Sequence, residues 1–325
     1  MLPSLRMKRW LAVLILCMAS FAAAKPNNGL EAAKVLDQFF QGTMALNAAV
    51  NRVQFLGEER YVSSELVLAV RRVNGKMRGQ VLEFLVSLAV RDGEVERVFL
   101  RALGSDDIGE VMTGARGLGR IKSNEGVKPL IALLTNPMLG PRREAARALG
   151  EIGKPAAAAP LLKAAKTETD FDLKLLMITA AGRSGDKKQI PAFEALLKDD
   201  SESTRLASAQ ALCLLGAPKC AQFAAKLLAS ADKNERFQAV MLFEGSSAKV
   251  SSPTLTPLLQ DPNDKLRARA ARILVQGGDT KGLEWLVIES AKAKGEMRLI
   301  YEDELEKLRI TDEQRQAILK KAGLQ

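Results

Sequence analysis

The feature that most constrains this chain is a motif that returns about every 31 residues. One apolar residue of the motif, at the end of what we predict to be its first helix, serves as a ruler. It falls at Leu56, Leu88, Leu118, Leu149, Ala181, Leu212, Phe243 and Leu274. Such regular spacing indicates copies of one small structural unit. A single unit of this size cannot bury its own apolar face, so the copies are expected to stack on one another.

Each unit has room for two helices and two tight turns. In the unit 139–169, the first helix is predicted over residues 141–152, where small and aliphatic residues recur three and four positions apart. Gly153 suits the left-handed conformation that ends a helix, and Pro155 cannot continue it. The second helices are predicted to bury pairs of apolar residues: Leu133-Leu134, Leu161-Leu162, Leu196-Leu197, Leu227-Leu228 and Leu258-Leu259.

The repeat is least regular around Phe243. The turn glycine recurs at Gly153, Gly185, Gly216 and Gly278, but Lys122 and Ser247 stand in its place in two other units. In the second of these units the sequence Gly245-Ser246-Ser247 replaces the usual turn. We therefore expect a local change in the curvature of the stack there, which unbroken 31-residue stacking would contradict.

The pattern R-x-x-A-A-x-A-L-G-x-I-G, followed by P-x-L-x-x-L-L-x-D, resembles the short HEAT repeat of bacterial scaffold proteins and phycobilin lyases. It is clearest from 107 to 288. The resemblance implies an all-α solenoid of about eight helix pairs over 45–291. A segment 25–44 precedes this solenoid, and a cap of two charged helices, predicted at 296–309 and 311–322, closes it over 292–325.

The first 24 residues are predicted to be an export signal. A positive start (Arg6, Lys8, Arg9) precedes an apolar run, and the small residues 22–24 favour cleavage after Ala24. The run is shorter than the roughly 20 residues of a membrane span, so the mature chain is expected to have none. An uncleaved anchor or a lipoprotein through Cys17 are the alternatives. The predicted location is the periplasm or the outside of the cell.

Composition narrows the chemistry. The chain has no histidine, which excludes a His-based catalytic triad and His-ligated iron or zinc. No motif indicates a cofactor, a metal or a catalytic pair, so we expect no enzyme activity. The resemblance leaves open a lyase-like enzyme acting on a small ligand. The formal charge is +10, and an excess of seven positive charges persists without the signal, which favours an acidic partner.

Cys213 and Cys220 are the cysteines left after signal removal, and they flank a predicted helix-to-helix turn. An antiparallel hairpin can bring such positions within disulfide range, and an exported chain sits where disulfides persist. Two separate buried thiols are the alternative. The spacing excludes a C-x-x-C redox pair.

A basic residue recurs seven positions before the ruler residue, at Arg142, Lys174, Arg205, Arg236 and Arg267. Two roles are open for this basic ladder. It could bind an anionic ligand, or it could pair with acidic turn residues of neighbouring units, as HEAT-like arrays usually do. The candidate turn residues are Asp199, Asp232, Asp261 and Asp264.

A second set of basic residues falls on the predicted second helices, which line the concave face in HEAT-like folds: Lys163, Lys166, Lys187, Lys188 and Lys226. They could form a basic trough for an acidic partner, or be ordinary solvated lysines. Nucleic acid is not expected, since few aromatic residues are available for base stacking. The sequence therefore favours an exported scaffold or adaptor that binds another protein, with an anionic envelope polymer as a further alternative.

Overall fold

The computed structural model describes residues 27–324, and every regular element in that range is a helix. The chain divides into two compact units, Met1–Ile152 and Gly153–Gln325. The predicted export signal lies outside the described residues.

The N-terminal unit contains eight of the helices. They are α1 (Asn27–Phe40), α2 (Leu46–Leu56), α3 (Glu59–Val70), α4 (Gly75–Leu88), α5 (Gly93–Ala102), α6 (Ile108–Arg120), α7 (Val127–Leu133) and α8 (Leu139–Ile152). The first helices α2, α4, α6 and α8 pack in succession on one another, and each second helix packs on the first helix that follows it. The segment predicted to precede the repeats supplies α1, which packs on α2 and α3.

The C-terminal unit contains the remaining eleven. They are α9 (Ala158–Thr167), α10 (Phe171–Arg183), α11 (Ile190–Leu196), α12 (Glu202–Leu214), α13 (Pro218–Leu228), α14 (Lys233–Met241), α15 (Ala248–Leu255), α16 (Asp264–Gly277), α17 (Thr280–Lys292), α18 (Glu296–Glu306) and α19 (Asp312–Lys321). Short 3-10 turns, Pro155–Ala157, Lys187–Gln189 and Thr256–Gln260, adjoin α9, α11 and α15. From Leu46 to Lys292 eight first helices alternate with eight second helices, which confirms the predicted all-α repeat fold.

The core follows the 31-residue period on both helices of the repeat. All eight ruler residues are buried, as predicted. On the second helices, however, the first leucine of each predicted pair is half-exposed except at Leu161. The fully buried position lies one turn earlier, at Phe99, Leu130, Leu161, Phe193, Ala224, Leu255 and Leu286. The leucine pairs therefore mark the end of each second helix, where its buried side has begun to turn away from the neighbouring first helix.

Close packing of the first helices depends on residues without a large side chain. A Cβ placed on Gly119 would lie 2.9 Å from the Ala148 Cα atom, and one placed on Gly182 would lie 2.6 Å from the Ala211 Cβ atom. Both glycines directly follow a ruler residue. Their partners directly precede the next one, so the same small-on-small contact occurs once in each unit.

The irregularity around Phe243 has a local cause. Helix α14 ends at Met241, and the left-handed turn residue is Gly245, with φ +83°, instead of the residue at the Ser247 position. Ser247 has an extended conformation and precedes α15. Helix α14 packs on α13 and α16, while its contact with α12 is marginal. Strict 31-residue stacking is thus interrupted at this repeat.

The C-terminal cap is joined to the last repeat by polar contacts. The buried Glu304 carboxylate lies 3.3 Å from Arg269 and 2.6 Å from Arg272. Tyr301 stacks edge-on against Trp285, at 5.5 Å between ring centroids. Thr311 caps α19 as the sequence predicts, in a reciprocal capping box with Gln314. The cap thus covers the last repeat with two helices whose outer surfaces are charged.

Candidate protein-interaction surface

The arginines of the basic ladder bind the backbone of their own repeat. In each of them the Nη1 atom donates to carbonyl oxygens five or six residues earlier, where the preceding second helix has ended, over 2.7 to 3.1 Å. The acceptors are Asn136 and Pro137 for Arg142, Asp199 and Asp200 for Arg205, Ser230 and Ala231 for Arg236, and Asp261 for Arg267. Each arginine therefore satisfies carbonyls that a helix end leaves without an intrahelical partner.

Two ladder residues also reach the next repeat. The Lys174 Nζ atom lies 3.8 Å from the Asp199 carboxylate, and the Arg236 Nε atom lies 3.4 Å from the Asp261 carboxylate. Both acidic partners stand 25 residues further along, at the turn that closes the next unit. Such half-buried pairs each contribute up to about 1 kcal/mol. The observed contacts of the ladder are those of a structural element that ties neighbouring repeats together.

Asp232 and Asp264 act within their own helices. Asp232 caps α14 by accepting from the Asn234 backbone N–H, and Asp264 pairs with Arg267 in the first turn of α16. Backbone carbonyls as the main acceptors of the ladder were not foreseen, because the sequence does not show which helix ends meet which side chains.

Cys213 and Cys220 form a disulfide that joins the end of α12 to the first turn of α13, with 4.9 Å between their Cα atoms. Both cysteines are fully buried. Apart from Cys220, the only buried side chain of α13 is Ala224, at the core position where other second helices carry a leucine or phenylalanine. The bond thus anchors the second helix that has the weakest apolar contact of its own.

The five lysines predicted on the second helices all lie in second-helix segments of the C-terminal unit, and all are exposed. Lys163 and Lys166 belong to α9, Lys187 and Lys188 to the 3-10 turn before α11, and Lys226 to α13. Within residues 27–324 none of these five makes an ion pair. Their charges are therefore directed to solvent and available to a partner.

Sequence reasoning missed two further members of this set. Lys219 starts α13 and Lys249 starts α15, and both are exposed. Lys219 stands 31 residues after Lys188, so the repeat period itself could have identified it. We refer to these seven residues as the lysine surface: Lys163, Lys166, Lys187, Lys188, Lys219, Lys226 and Lys249.

Charge on the lysine surface is strongly one-sided. The segments 155–167, 187–196, 218–228 and 248–260 carry seven lysines, no arginine and one acidic residue, Glu194. Lys219 binds the Glu194 carboxylate at 2.7 Å and neutralises it. In the N-terminal unit, α1, α3, α5 and α7 together carry six acidic and five basic residues, so they have almost no net charge. The basic second-helix face belongs to the C-terminal unit.

Two shallow clefts lie away from this surface. One, of about 410 Å³, is lined by residues of the cap that include Glu302, Arg309 and Arg315. The other, of about 320 Å³, lies in the N-terminal unit and includes Arg91 and Lys122. A hydrogen bond from Arg315 is the main reason why the pKa of Glu302 is lowered, so this carboxyl stays ionised. In the part of the chain that the structure describes, no acidic or cysteine cluster could hold a metal, and no helix is long and apolar enough to cross a membrane.

Helix pairs that repeat every 31 residues and pack through their first helices define an α-helical repeat protein of the solenoid class. A model of HEAT repeats matches residues 82–177 and 159–244, which together make up half of the chain. The chain therefore belongs to the HEAT repeat family.

Among solved structures, the complex of CpcE and CpcF of phycocyanin lyase from Nostoc sp. PCC7120 is similar at 17% identity, with a TM-score of 0.53, over 69% of this chain and 92% of that chain. At this identity the likeness shows the fold alone. An engineered protein is 17% identical over 92% of this chain and 89% of its own, with a TM-score of 0.44. No curated protein matches the sequence.

Proposed function

We propose that this protein is an exported, non-enzymatic scaffold that binds an acidic partner protein along the lysine surface. The observation that supports this most directly is the charge imbalance of seven lysines to one neutralised carboxylate on four consecutive second-helix segments. Surface charge of mixed sign is the usual condition of solvated helices. A one-sided face on a chain whose other helices are mixed favours a partner of the opposite sign.

The extent of the surface suits a protein better than a small ligand. The lysines span four second helices, and both clefts of the described residues lie elsewhere. A specific protein–protein interface buries about 1,200–2,000 Å² in total, and a stack of helices can offer such an area without a deep pocket. Complementary charge on it would chiefly raise the association rate and select the partner.

Two observations support an extracytoplasmic location. The N-terminal sequence has the order of charged, apolar and small residues that an export signal requires. The Cys213–Cys220 disulfide is of a kind that persists in oxidising compartments. We propose that the mature chain works in the periplasm or outside the cell.

The test is affinity capture from a bacterial envelope extract with the immobilised mature chain, followed by purification of each retained protein and direct titration. We expect one acidic protein to bind the purified chain in a defined ratio. Retention of a small chromophore or metabolite, with no protein that binds in the titration, would show that the scaffold proposal is wrong and would favour the lyase-like enzyme. Location is tested separately, by fractionating cells that express the full chain.

A further inference from the structure

We infer that the lysine surface binds an extended acidic segment, a run of Glu and Asp residues in a partner chain that lies across successive second helices. This inference rests on the proposed scaffold function and specifies the chemistry of its partner. It is carried by three properties of the surface: the spacing of the lysines, their chemical type and the absence of a concave site among them.

The lysines recur in two rows that run across the helices. Lys188 and Lys219 occupy the same repeat position, 31 residues apart, at the start of second-helix segments. Lys163 and Lys226 share another position, two repeats apart, near the end of α9 and α13. Packed helices lie 8–10 Å apart, so neighbouring members of a row are roughly 10 Å apart and the full surface extends for about 30 Å. A ligand that uses all of it must be elongated.

The choice of lysine over arginine specifies what the surface can recognise. Arginine's planar fork matches carboxylate and phosphate groups in fixed geometry, whereas lysine is a hydrated point charge on a flexible stem. The four second-helix segments carry no arginine, although the first helices of the same unit carry six: Arg183, Arg205, Arg236, Arg267, Arg269 and Arg272. Where the chain needs defined geometry it uses arginine. The lysine surface therefore suits a partner whose carboxylates have no fixed arrangement, as in an extended segment.

The same segments disfavour nucleic acid. Binding of single strands depends on exposed aromatic side chains that stack on bases. The only aromatic residues of these segments are Phe193, which is fully buried, and Phe223, which is half-buried. An acidic polypeptide requires no such platform, and its extended backbone covers about 30 Å with roughly nine residues.

The test uses a fluorescein-labelled oligoglutamate of about 12 residues, long enough to span the surface, titrated with the mature chain and followed by fluorescence anisotropy. We compare the wild type with the triple variant Lys163→Glu, Lys188→Glu, Lys226→Glu. The matched control is Lys76→Glu, Lys128→Glu, Lys320→Glu. All six lysines are exposed and none makes an ion pair in the residues described, so both variants change the net charge equally without removing a packing contact.

We expect the wild type to bind the peptide and the first variant to bind it roughly 10- to 100-fold more weakly. The control should stay within about twofold of the wild type. Raising the ionic strength from about 0.01 to 0.15 M, which shortens the Debye length from roughly 30 to 8 Å, should weaken wild-type binding much more than that of the first variant. Circular dichroism verifies that all three proteins are folded.

Equal weakening in both triple variants would mean that net charge alone attracts the peptide, and would overturn the inference. So would tighter binding of duplex DNA or of a sulfated polysaccharide of equal charge, which would indicate an anionic polymer as the ligand. If oligoglutamate does not bind but the envelope capture yields a protein that does, the extended-segment inference fails and the scaffold function stands. If neither binds, the proposed function fails as well.

Discussion

The glycine contacts between first helices lead to a prediction whose sign runs against helix propensity. Gly182 lies inside α10, where replacing glycine by alanine would normally stabilise a helix by about 1 kcal/mol. A Cβ at this position would stand 2.6 Å from the Ala211 Cβ atom and 2.8 Å from its Cα atom in α12. Because one of these neighbours is backbone, a change of side-chain rotamer cannot relieve the clash.

The magnitude follows from the distance that has to be recovered. Carbon atoms pack at about 3.5–4.0 Å, so α10 and α12 must separate by roughly 1 Å. Overpacking of this kind costs about 1–3 kcal/mol, and here both helices must move along their line of contact, which places the cost at the upper end. After the propensity gain is subtracted, we expect Gly182→Ala to lower the free energy of unfolding by about 1–2 kcal/mol.

The matched control is Gly79→Ala. Gly79 lies inside α4, and a Cβ built on it has no neighbour within 4 Å. This variant should be more stable than the wild type by up to about 1 kcal/mol, so the same chemical change should have opposite signs at the two sites. Urea unfolding followed by far-UV circular dichroism measures both.

A double-mutant cycle completes the test. Adding Ala211→Gly removes the nearer of the two clashing atoms, so the pair should show a favourable coupling of at least about 0.5 kcal/mol relative to the sum of the single changes. If Gly182→Ala stabilises the protein, or if Ala211→Gly restores nothing, then close approach of first helices is not what requires glycine at this position.

Three further predictions concern the turns, the disulfide and the cap. Lys122 has φ +54° where other repeats have glycine; relief of its strain should make Lys122→Gly about 0.5–1 kcal/mol more stable, whereas Gly153→Ala, at φ +69°, should cost about 1 kcal/mol, and thermal unfolding with no opposite shifts would contradict this. Replacing Cys213 and Cys220 by alanine should cost roughly 2–3 kcal/mol and raise amide hydrogen exchange most in α13, which otherwise buries only Ala224; unchanged exchange in α13 would show that the bond is not its main anchor. The pKa of Glu302 is lowered mainly by its hydrogen bond from Arg315 and further by one from Ser290, so the stabilisation is present above the unfolded pKa and is lost as the pH falls below about 4.3 through the folded pKa. Hydrogen exchange in α19 should therefore increase on acidification in the wild type and depend much less on pH in Glu302→Gln, and identical pH profiles would refute the contribution of this carboxyl.

What the sequence determined by itself is local or periodic. The 31-residue interval and the apolar spacing within first helices predicted eight helix pairs and the burial of every ruler residue, because helix formation and amphipathic faces depend on neighbours three and four positions apart. The glycine turns and the Thr311 cap could be predicted for the same reason, since caps involve residues within one turn of the helix end.

The tertiary structure decided what depends on how helices face one another. The buried position of the second helices lies one turn before the predicted leucine pairs, since the direction of a short helix against its neighbour sets which side is covered. The ladder arginines bind backbone carbonyls such as that of Asp199, and the sequence offered only acidic side chains as their partners. The turn near Phe243 moved to Gly245 because α14 ends early. Lys219 and Lys249 joined the lysine surface because stacking brings the same repeat position of successive units onto one face, and a surface assembled across repeats belongs to no single stretch of chain.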